Sequence, residues 1–347
     1  MAVKRVSSED VARAAGVSRT TVSFVLNNTP GKTISEETRR KVLDAAQELR
    51  YTPNERARNI AMAKHFSIGF FIPHSGYLSS DAYIIRIIEG MTPVLNKNRF
   101  QLVLQPLKLQ EMNYLQLARQ DAVDGIILMN THDDDVGLAQ VIEEGFPLVV
   151  IGSIKNRDVC QIDIDNRSSA AVAVNYMIDL GHNDIGMIIH APLSYYAARD
   201  RYDGFRLALE TAGYSVRKQW VAEANLTEES GYDAMNVILA QNRHPSAVFA
   251  GNDVVAYGAI QAIKDAGLRI PEDISIVGFD DDSLSRYLNP PLTTMTNPAA
   301  SLGAEAASLI VKVMKGRRPA ELSRLVPTSL AVRDSCRDLR SRGSGGR

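Results

Sequence analysis

From Ser67 onward, short apolar or β-branched runs alternate with stretches of helical periodicity. The first series of runs is Ile68 to Ile72, Phe100 to Leu104, Ile126 to Met129 and Leu148 to Ile151, each bounded by turn signals. Helical patterns sit between them, as from Ala82 to Asn96 and from Gln110 to Gln120. A second series begins at Gln161 to Ile164 and continues through Ile185 to Ile189, Ala247 to Ala250 and Ile274 to Val277. Runs that are apolar on both faces predict strands covered on both faces, and therefore parallel sheets flanked by helices. Two such series predict two βαβ subdomains in tandem.

Ahead of Ser67 the pattern is all-helical. Ser7 is placed to cap a first helix, with Asp10 three residues on completing a capping box. Val11, Ala12 and Ala15 supply its apolar face, and Gly16-Val17 makes a short turn. Ser18 caps a second helix running to about Asn27, on which Val22, Val25 and Leu26 face inward. Thr20, Ser23, Phe24 and Asn27 are left on the opposite side, with Arg19 flanking them. Ser35, followed by Glu36 and Glu37, opens a third helix whose Val42, Ala45, Ala46 and Leu49 close a small core. This is the pattern of a helix-turn-helix, whose second helix presents residues to a DNA major groove.

Charge sharpens the division. The whole chain is nearly neutral, with 39 Lys and Arg against 40 Asp and Glu, yet its first 64 residues carry a basic excess of about five. A basic head on a more acidic body is the asymmetry of a phosphate-binding module. At 347 residues the chain is too long for one core and suits a head plus two further domains. Nothing at the N-terminus resembles a signal peptide, and no apolar run approaches the roughly 20 residues of a membrane span, so a cytoplasmic location without a membrane partner is expected. Cys160 and Cys336 lack metal-ligand spacing and are expected to be reduced thiols. His132-Asp133-Asp134-Asp135 has no second ligand pair and reads as a solvated loop, so neither a metal nor another cofactor is expected. No phosphate loop, dinucleotide fingerprint or Ser-His-Asp order is present, which speaks against an enzyme. The polar tail from Arg337 is expected to be disordered.

Several motifs in fixed order carry a resemblance. Asp10-Val11-Ala12, Ala15-Gly16-Val17-Ser18, Thr21-Val22-Ser23, Val25-Leu26-Asn27, Ser35-Glu36-Glu37-Thr38-Arg39 and Tyr51-x-Pro53-Asn54 resemble the lactose repressor/galactose repressor family of bacterial transcription regulators. Gly181-His182-x-x-Ile185-Gly186 and Ile276-Val277-Gly278-Phe279-Asp280-Asp281 extend the resemblance to about Ser335. The implied fold is an all-α helix-turn-helix head (1–52) with a hinge helix (53–64), followed by an α/β body (65–335). That body would hold two Rossmann-like parallel-sheet subdomains of the periplasmic-binding-protein kind, with crossings near Gln161, Leu292 and Val326. The first subdomain would take about 65–160 and 292–325, the second about 161–291 and 326–335.

The resemblance also implies a mechanism: a homodimeric repressor on double-stranded, palindromic operator DNA, governed by a small-molecule effector in the cleft between the subdomains. Arg19, Thr20 and Ser23 are the expected base contacts, with Phe24 as an apolar one where the family often has arginine. Ser18, Thr21, Asn27, Tyr51 and Asn54 would hold phosphates. Arg58 lies on the hinge, and Ile60 takes the place of the family's leucine wedge, which enters the minor groove. Open α/β sheets bind ligands beyond the carboxyl ends of their strands, which points to His74, Tyr83, Ile84, Tyr195, Arg201, Asn252, Asp253 and Asp280. The resemblance itself carries a ligand role onto Tyr83, Arg201, Asn252 and Asp280. Asn252-Asp253 has a second reading as a helix cap, and Asp165-Asn166 reads as a cap. Leu226 falls where relatives often place an aromatic ring against the ligand, and Gly152 where some carry a charge. A sugar or sugar derivative is the expected effector, with a purine or nucleoside as the alternative and a sugar-binding protein without DNA function as the remoter one.

Overall fold

A computed structural model describes residues 6–26, 31–51, 66–73, 82–107, 113–132, 135–156, 158–317 and 319–340. Asn27, Asn54, Arg58, Ile60, His74 and the hinge segment therefore lie outside the described residues. The chain divides into two compact units, Met1–His65 and Phe66–Arg347.

In the front unit, α1 (Ser8–Ala15), α2 (Arg19–Leu26) and α3 (Glu36–Glu48) pack around Val11, Val22, Val25 and Val42. The Ser7–Asp10 capping box forms as read, and Gly16 ends α1 at φ 67°, a left-handed turn that glycine adopts without Cβ strain. Ser35 caps α3 by accepting from the Thr38 amide.

The rear unit holds two six-stranded sheets. The first contains β1 (Ser67–Pro73), β2 (Gln101–Leu107), β3 (Gly125–Met129), β4 (Leu148–Ile151) and β5 (Cys160–Asp163), with β11 (Ser323–Leu325) at one edge, in the order β2-β1-β3-β4-β5-β11. The second contains β6 (Ile185–Ile189), β7 (Val221–Glu223), β8 (Ala247–Ala250), β9 (Ser275–Asp280), β10 (Thr293–Thr296) and β12 (Leu330–Ala331), in the order β7-β6-β8-β9-β10-β12. Only the last pairing of the second sheet, β10 with β12, is antiparallel. In both sheets the chain steps to either side of its first strand, so each has a topological switch point at its carboxyl edge.

Helices cover both sheets: α4 (Ala82–Lys97), α5 (Tyr114–Gln120), α6 (Val136–Glu143), α7 (Asn166–Asp179), α8 (Tyr196–Thr211), α9 (Glu228–Leu239), α10 (Asp253–Asp265) and α11 (Ala299–Met314). Three pairs cross at glycine. A Cβ on Gly90 of α4 would collide with the Ala300 carbonyl oxygen of α11, and one on Gly303 with that of Ile87. Gly231 and Gly258 form the same reciprocal seam between α9 and α10, and Gly204 of α8 lies against the Arg167 carbonyl of α7.

The structure corrects three boundaries. β5 does not open the second subdomain: Val149 pairs with Cys160 and Ile151 with Ile162, so it extends the first sheet and the crossing comes after Asp163. No helix separates β4 from β5, so the periodicity carried no sign that the two pair. β10 still belongs to the second sheet, which moves the second crossing from Leu292 to beyond Thr296. The helix read from Gln110 begins after Asn113, whose side chain caps it. The tail is also anchored further than expected. Ser335 Oγ donates to the Ile276 carbonyl at 2.6 Å, the Arg337 amide to Ser275 Oγ at 3.1 Å, and the Leu339 amide to the Leu180 carbonyl at 2.8 Å. Buried His182 of the Gly-His signature reaches the Arg337 carbonyl at 3.2 Å.

Overpacking of this kind typically costs about 1–3 kcal/mol. Gly90→Ala is therefore expected to lower the midpoint of rear-unit unfolding, and an unchanged denaturant midpoint would show that α4 and α11 can slide apart freely.

Candidate functional site

On the head, one face of α2 is polar and open. Arg19, Thr20 and Ser23 are exposed, and the helix has no acidic residue in its first turn. No carboxylate therefore opposes the positive end of the helix dipole there. Ser18 Oγ accepts from the Thr21 amide at 3.1 Å and lies 2.9 Å from Thr21 Oγ1, so these two residues cap the helix. Phe24 is half-buried, with Lys32 Nζ 5.5 Å from its ring centroid. A cation thus lies beside the ring. Tyr51 packs half-buried against the three-helix core.

In the rear unit, a cavity of about 100 Å³ opens where the carboxyl ends of the two sheets meet. Tyr83, Ile84, Tyr195, Arg201, Leu226, Asn252 and Asp280, all singled out from the sequence, line it. It also takes Asn166, which the sequence reading gave to a cap, and residues that reading passed over: Asp163, His190 and Asn297, together with Ser153 and Thr131. Asp163 and His190 stand at or just beyond strand ends, where the rule that found Asp280 would have found them too. Asn297 belongs to a crossing whose position was misplaced.

Arg201 organises this wall. Its Nε donates to Asn166 Oδ1 at 2.9 Å and its Nη1 to the Gly251 carbonyl at 2.5 Å, while Nη2 lies 3.8 Å from Asp280 Oδ1. The guanidinium carbon sits 3.7 Å from the centroid of the Phe279 ring. Stacked, buried and held from three sides, the guanidinium has a fixed direction. Asn166 was read as a cap with Asp165. The structure gives the cap to Asp165, which accepts from the Ser168 amide at 2.9 Å, and frees Asn166 for Arg201.

Asp280 accepts from Asn297 Nδ2 at 2.9 Å, and burial raises its pKa against the opposing pull of Arg201. Asp163 accepts from Ser153 Oγ and from the Ile164 amide, each at 2.8 Å, yet burial still lifts its pKa to about 6. His190 is held well below the usual imidazole range, first by burial and then by Arg201, so it is neutral, and its Nδ1 is buried without a hydrogen-bond partner in the described structure. Burial also raises the Tyr83 hydroxyl, which therefore stays protonated as a donor. Asn252 spends Oδ1 on the Val255 amide at 2.9 Å as the cap of α10, which leaves its amide NH₂ as the cavity-side donor. Leu226, at φ 66°, presents an aliphatic wall where an aromatic ring is common in relatives.

Asp253 is a correction. Its carboxylate is fully buried behind the wall and accepts from the Asp282 amide (2.7 Å), Ser285 Oγ (2.6 Å) and Thr294 Oγ1 (2.6 Å). With its oxygens occupied by the protein it does not face the cavity; the physical reason is that it follows the cap residue and points under the strand ends. Burial lifts its pKa to about 7. The His132–Asp135 loop is likewise structural at its last member: Asp135 caps α6 through the Leu138 amide at 2.9 Å and accepts from Tyr114 Oη at 2.8 Å.

Comparison with known proteins gives matches of three kinds. A family model described as bacterial regulatory proteins, lacI family, matches residues 9–54, and one described as a periplasmic binding protein-like domain matches 174–336. The chain is 40% identical over 310 residues to the HTH-type transcriptional repressor PurR of Pasteurella multocida, covering 87% of this chain and 90% of the relative. It is 34% identical to the probable HTH-type transcriptional repressor ExuR of Bacillus subtilis, covering 96% and 99%. Among solved structures, the lac repressor dimer bound to operator and the anti-inducer ONPF aligns with TM-score 0.84 at 26% identity, covering 96% and 100%. The transcriptional regulator CelR–cellobiose complex aligns with TM-score 0.73 at 30% identity, covering 95% and 100%.

The raised carboxyls set a pH dependence. Between the unfolded value near 4 and folded values of about 6 for Asp163 and about 7 for Asp253, the folded chain holds protons that the unfolded chain has released. Their contribution to stability is complete at acid pH and is lost as pH rises through that window. Asp253→Asn should flatten the fall in melting temperature between pH 5 and pH 7.5, and an unaltered slope would remove Asp253 as its source.

Proposed function

The chain belongs to the lacI family of bacterial regulatory proteins, and from that membership we propose that its rear cavity takes a small, uncharged, polyhydroxylated effector that sets how the head grips operator DNA. The protein is a DNA-binding transcriptional repressor of this family and not an enzyme. The observation that carries the effector class is the donor and acceptor set converging on one cavity: Arg201, Asn252, neutral His190 and the Tyr83 hydroxyl donate, and Asp163 and Asp280 accept. Carboxylates beside a guanidinium and amides bracket vicinal hydroxyls, each of which both donates and accepts. Two acids in the wall disfavour an anionic ligand, which separates a neutral sugar from sugar acids and phosphates. A planar nucleobase is the rival ligand, favoured by Tyr83, Tyr195 and Tyr196 on the wall.

The mechanism is linkage. Two heads on a two-fold dimer reach two half-sites of a palindrome, which one head alone contacts too sparsely for tight binding. Arg19, Thr20 and Ser23 read bases, Phe24 adds an apolar contact, and the N-terminus of α2 with Tyr51 positions the backbone. Asn27, Asn54, Arg58 and Ile60, which lie outside the described residues, are assigned to DNA contact by their place in the sequence alone. The segment after the head (53–64) connects to the effector body, and the effector acts by binding its two conformations unequally. A chain of this kind works in the cytoplasm. No helix among the described residues is long and apolar enough to cross a membrane.

Four experiments test the reading. In a thermal-shift screen, neutral monosaccharides are expected to raise the melting temperature more than sugar acids, sugar phosphates or nucleobases; stabilisation by nucleobases alone would transfer the site to the rival. Asp280→Asn is then expected to weaken binding of the stabilising sugar about tenfold or more, the worth of a hydrogen bond to a charged group. Operator affinity without effector should stay within twofold, and unaltered sugar affinity would take Asp280 out of the site. Retention on duplex DNA should fall linearly on a log-log plot against salt, by about 0.9 per phosphate contacted. Replacing Arg19 with Ala should relax base preference, and a uniform loss on all sequences would make Arg19 a phosphate contact instead.

A further inference from the structure

Arg86 lies one turn along α4 from Tyr83 and Ile84 and is not among the residues lining the cavity. Its guanidinium reaches from the first subdomain to the second: Nη1 donates to the Asp281 carbonyl at 3.0 Å and Nη2 to the Asp280 carbonyl at 3.1 Å. Its Nε is buried without a hydrogen-bond partner in the described structure. Among the described residues the fork's hydrogen bonds go to those two carbonyls, with the Asp280 carboxylate close enough to feel its charge, and a planar fork of fixed geometry is what two adjacent carbonyls require.

The turn it grips is unusual. Asp280 has φ 116° and Asp281 φ 49°, two successive residues with a Cβ in the left-handed region. Such backbone persists where its surroundings over-determine it. From the second subdomain and its crossing, Asn297 Nδ2 holds Asp280 Oδ1 at 2.9 Å, Arg333 Nη2 holds Asp281 Oδ1 at 2.5 Å, and Asp253 Oδ2 holds the Asp282 amide at 2.7 Å. Arg86 supplies the restraint from the opposite subdomain. On another part of the rim, His132 and Tyr195 form an antiparallel bridge between β3–α6 and β6–α8 loops, their rings edge to face at 5.7 Å. Closure of the cleft is thus secured by contacts that need no ligand.

We infer that Arg86 is a positioning residue for the effector site, a latch that closes the first subdomain onto the Asp280–Asp281 turn and thereby fixes the carboxylate that faces the cavity. The inference rests on the reading of that cavity as the effector site. It assigns ligand affinity in part to a side chain that never touches the ligand. Opening the cleft breaks both carbonyl contacts together, so the latch opposes ligand escape and leaves the choice between ligands to the wall.

The test uses the full-length protein, with Arg86→Met keeping the apolar stem and removing the fork, and Arg86→Lys offering one cation for two carbonyls. In ligand-free protein, amide exchange at Asp281, Asp282 and Leu284 is expected to quicken on the order of tenfold in the Met variant and less in the Lys variant. Exchange in β3 and β8 should be unaltered, which a general loss of stability would not allow. Equal exchange in wild type and Arg86→Met overturns the latch. Calorimetric titration with D-glucose, D-galactose and adenine then reads the site. Those that bind wild type should bind Arg86→Met on the order of tenfold more weakly, in the same order of preference, a coupling of ordinary size. Undiminished affinity overturns the positioning role even where exchange quickens. Absence of binding by all three to wild type counts against the effector class proposed above, while the exchange measurement decides the latch on its own.

Discussion

A buried guanidinium must find acceptors, and the rear unit is arranged so that Arg201 finds them at three separate strand ends. Asn166 follows β5, Gly251 follows β8, and Asp280 closes β9. Removing such a charge from water is costly unless the remaining groups are well placed. The Phe279 face beneath it and the carboxylate beside it meet that demand. The cation in turn keeps Asp280 from the full effect of its own burial and adds to the burial that already holds His190 well below the usual imidazole range. One side chain thus fixes the charge state of the wall as well as its shape.

The helices around the sheets hold this arrangement by close approach. Where α4 crosses α11, α9 crosses α10 and α7 crosses α8, glycine lets backbone meet backbone, and no side chain is available to absorb a displacement. Interiors packed in this way move as blocks. Tyr83, Ile84 and Arg86 share α4, so a shift of that helix carries two wall residues and the latch together.

Much of this was legible in the sequence, and the parts that were not share a cause. The head could be read almost completely, because its caps at Ser7, Ser18 and Ser35 and its Val11, Val22, Val25 and Val42 core are local signals of short range. The buried strands β1, β3, β4, β6 and β8 announced themselves as apolar runs. The short strands β7, β11 and β12 did not, since pieces of two or three residues carry no periodicity of their own. β5 and β10 were assigned or bounded wrongly because sheet membership is a matter of which strand lies alongside, and an apolar run does not name its neighbour. The same limit governed the site. Asp280 and Asn252 lie at strand ends, Arg201 lies in the helix that follows such an end, and all three were found, whereas the buried acceptor role of Asp253 depends on Ser285 and Thr294, which only the folded chain brings beside it. Arg86 falls within the helical pattern from Ala82 to Asn96 without any mark of its own, and nothing local in the sequence points to two carbonyls nearly 200 positions away.

The three crossings supply the remaining constraint. The Asp163 carbonyl accepts from the Val326 amide at 2.8 Å, Ser169 Oγ lies 2.8 Å from Thr328 Oγ1, and Asn297 holds Asp280. The connections between subdomains are therefore tied to one another in a strip, and Asp163, Asn166 and Asn297 bring that strip to the cavity wall. A ligand touching only this strip would meet nearly the same atoms whether the subdomains were open or closed. It would bind both states alike and move nothing, however tightly it bound. In the proposed site, differential affinity would have to come from groups on opposite subdomains, Tyr83 and Ile84 on one side and Arg201, Asn252 and Asp280 on the other. Because the rim contacts of Arg86 and of His132 with Tyr195 already favour the closed arrangement, the ligand needs to add only the margin between closure with and without it. A side chain that sets that margin tunes the response of the whole molecule without ever meeting the signal.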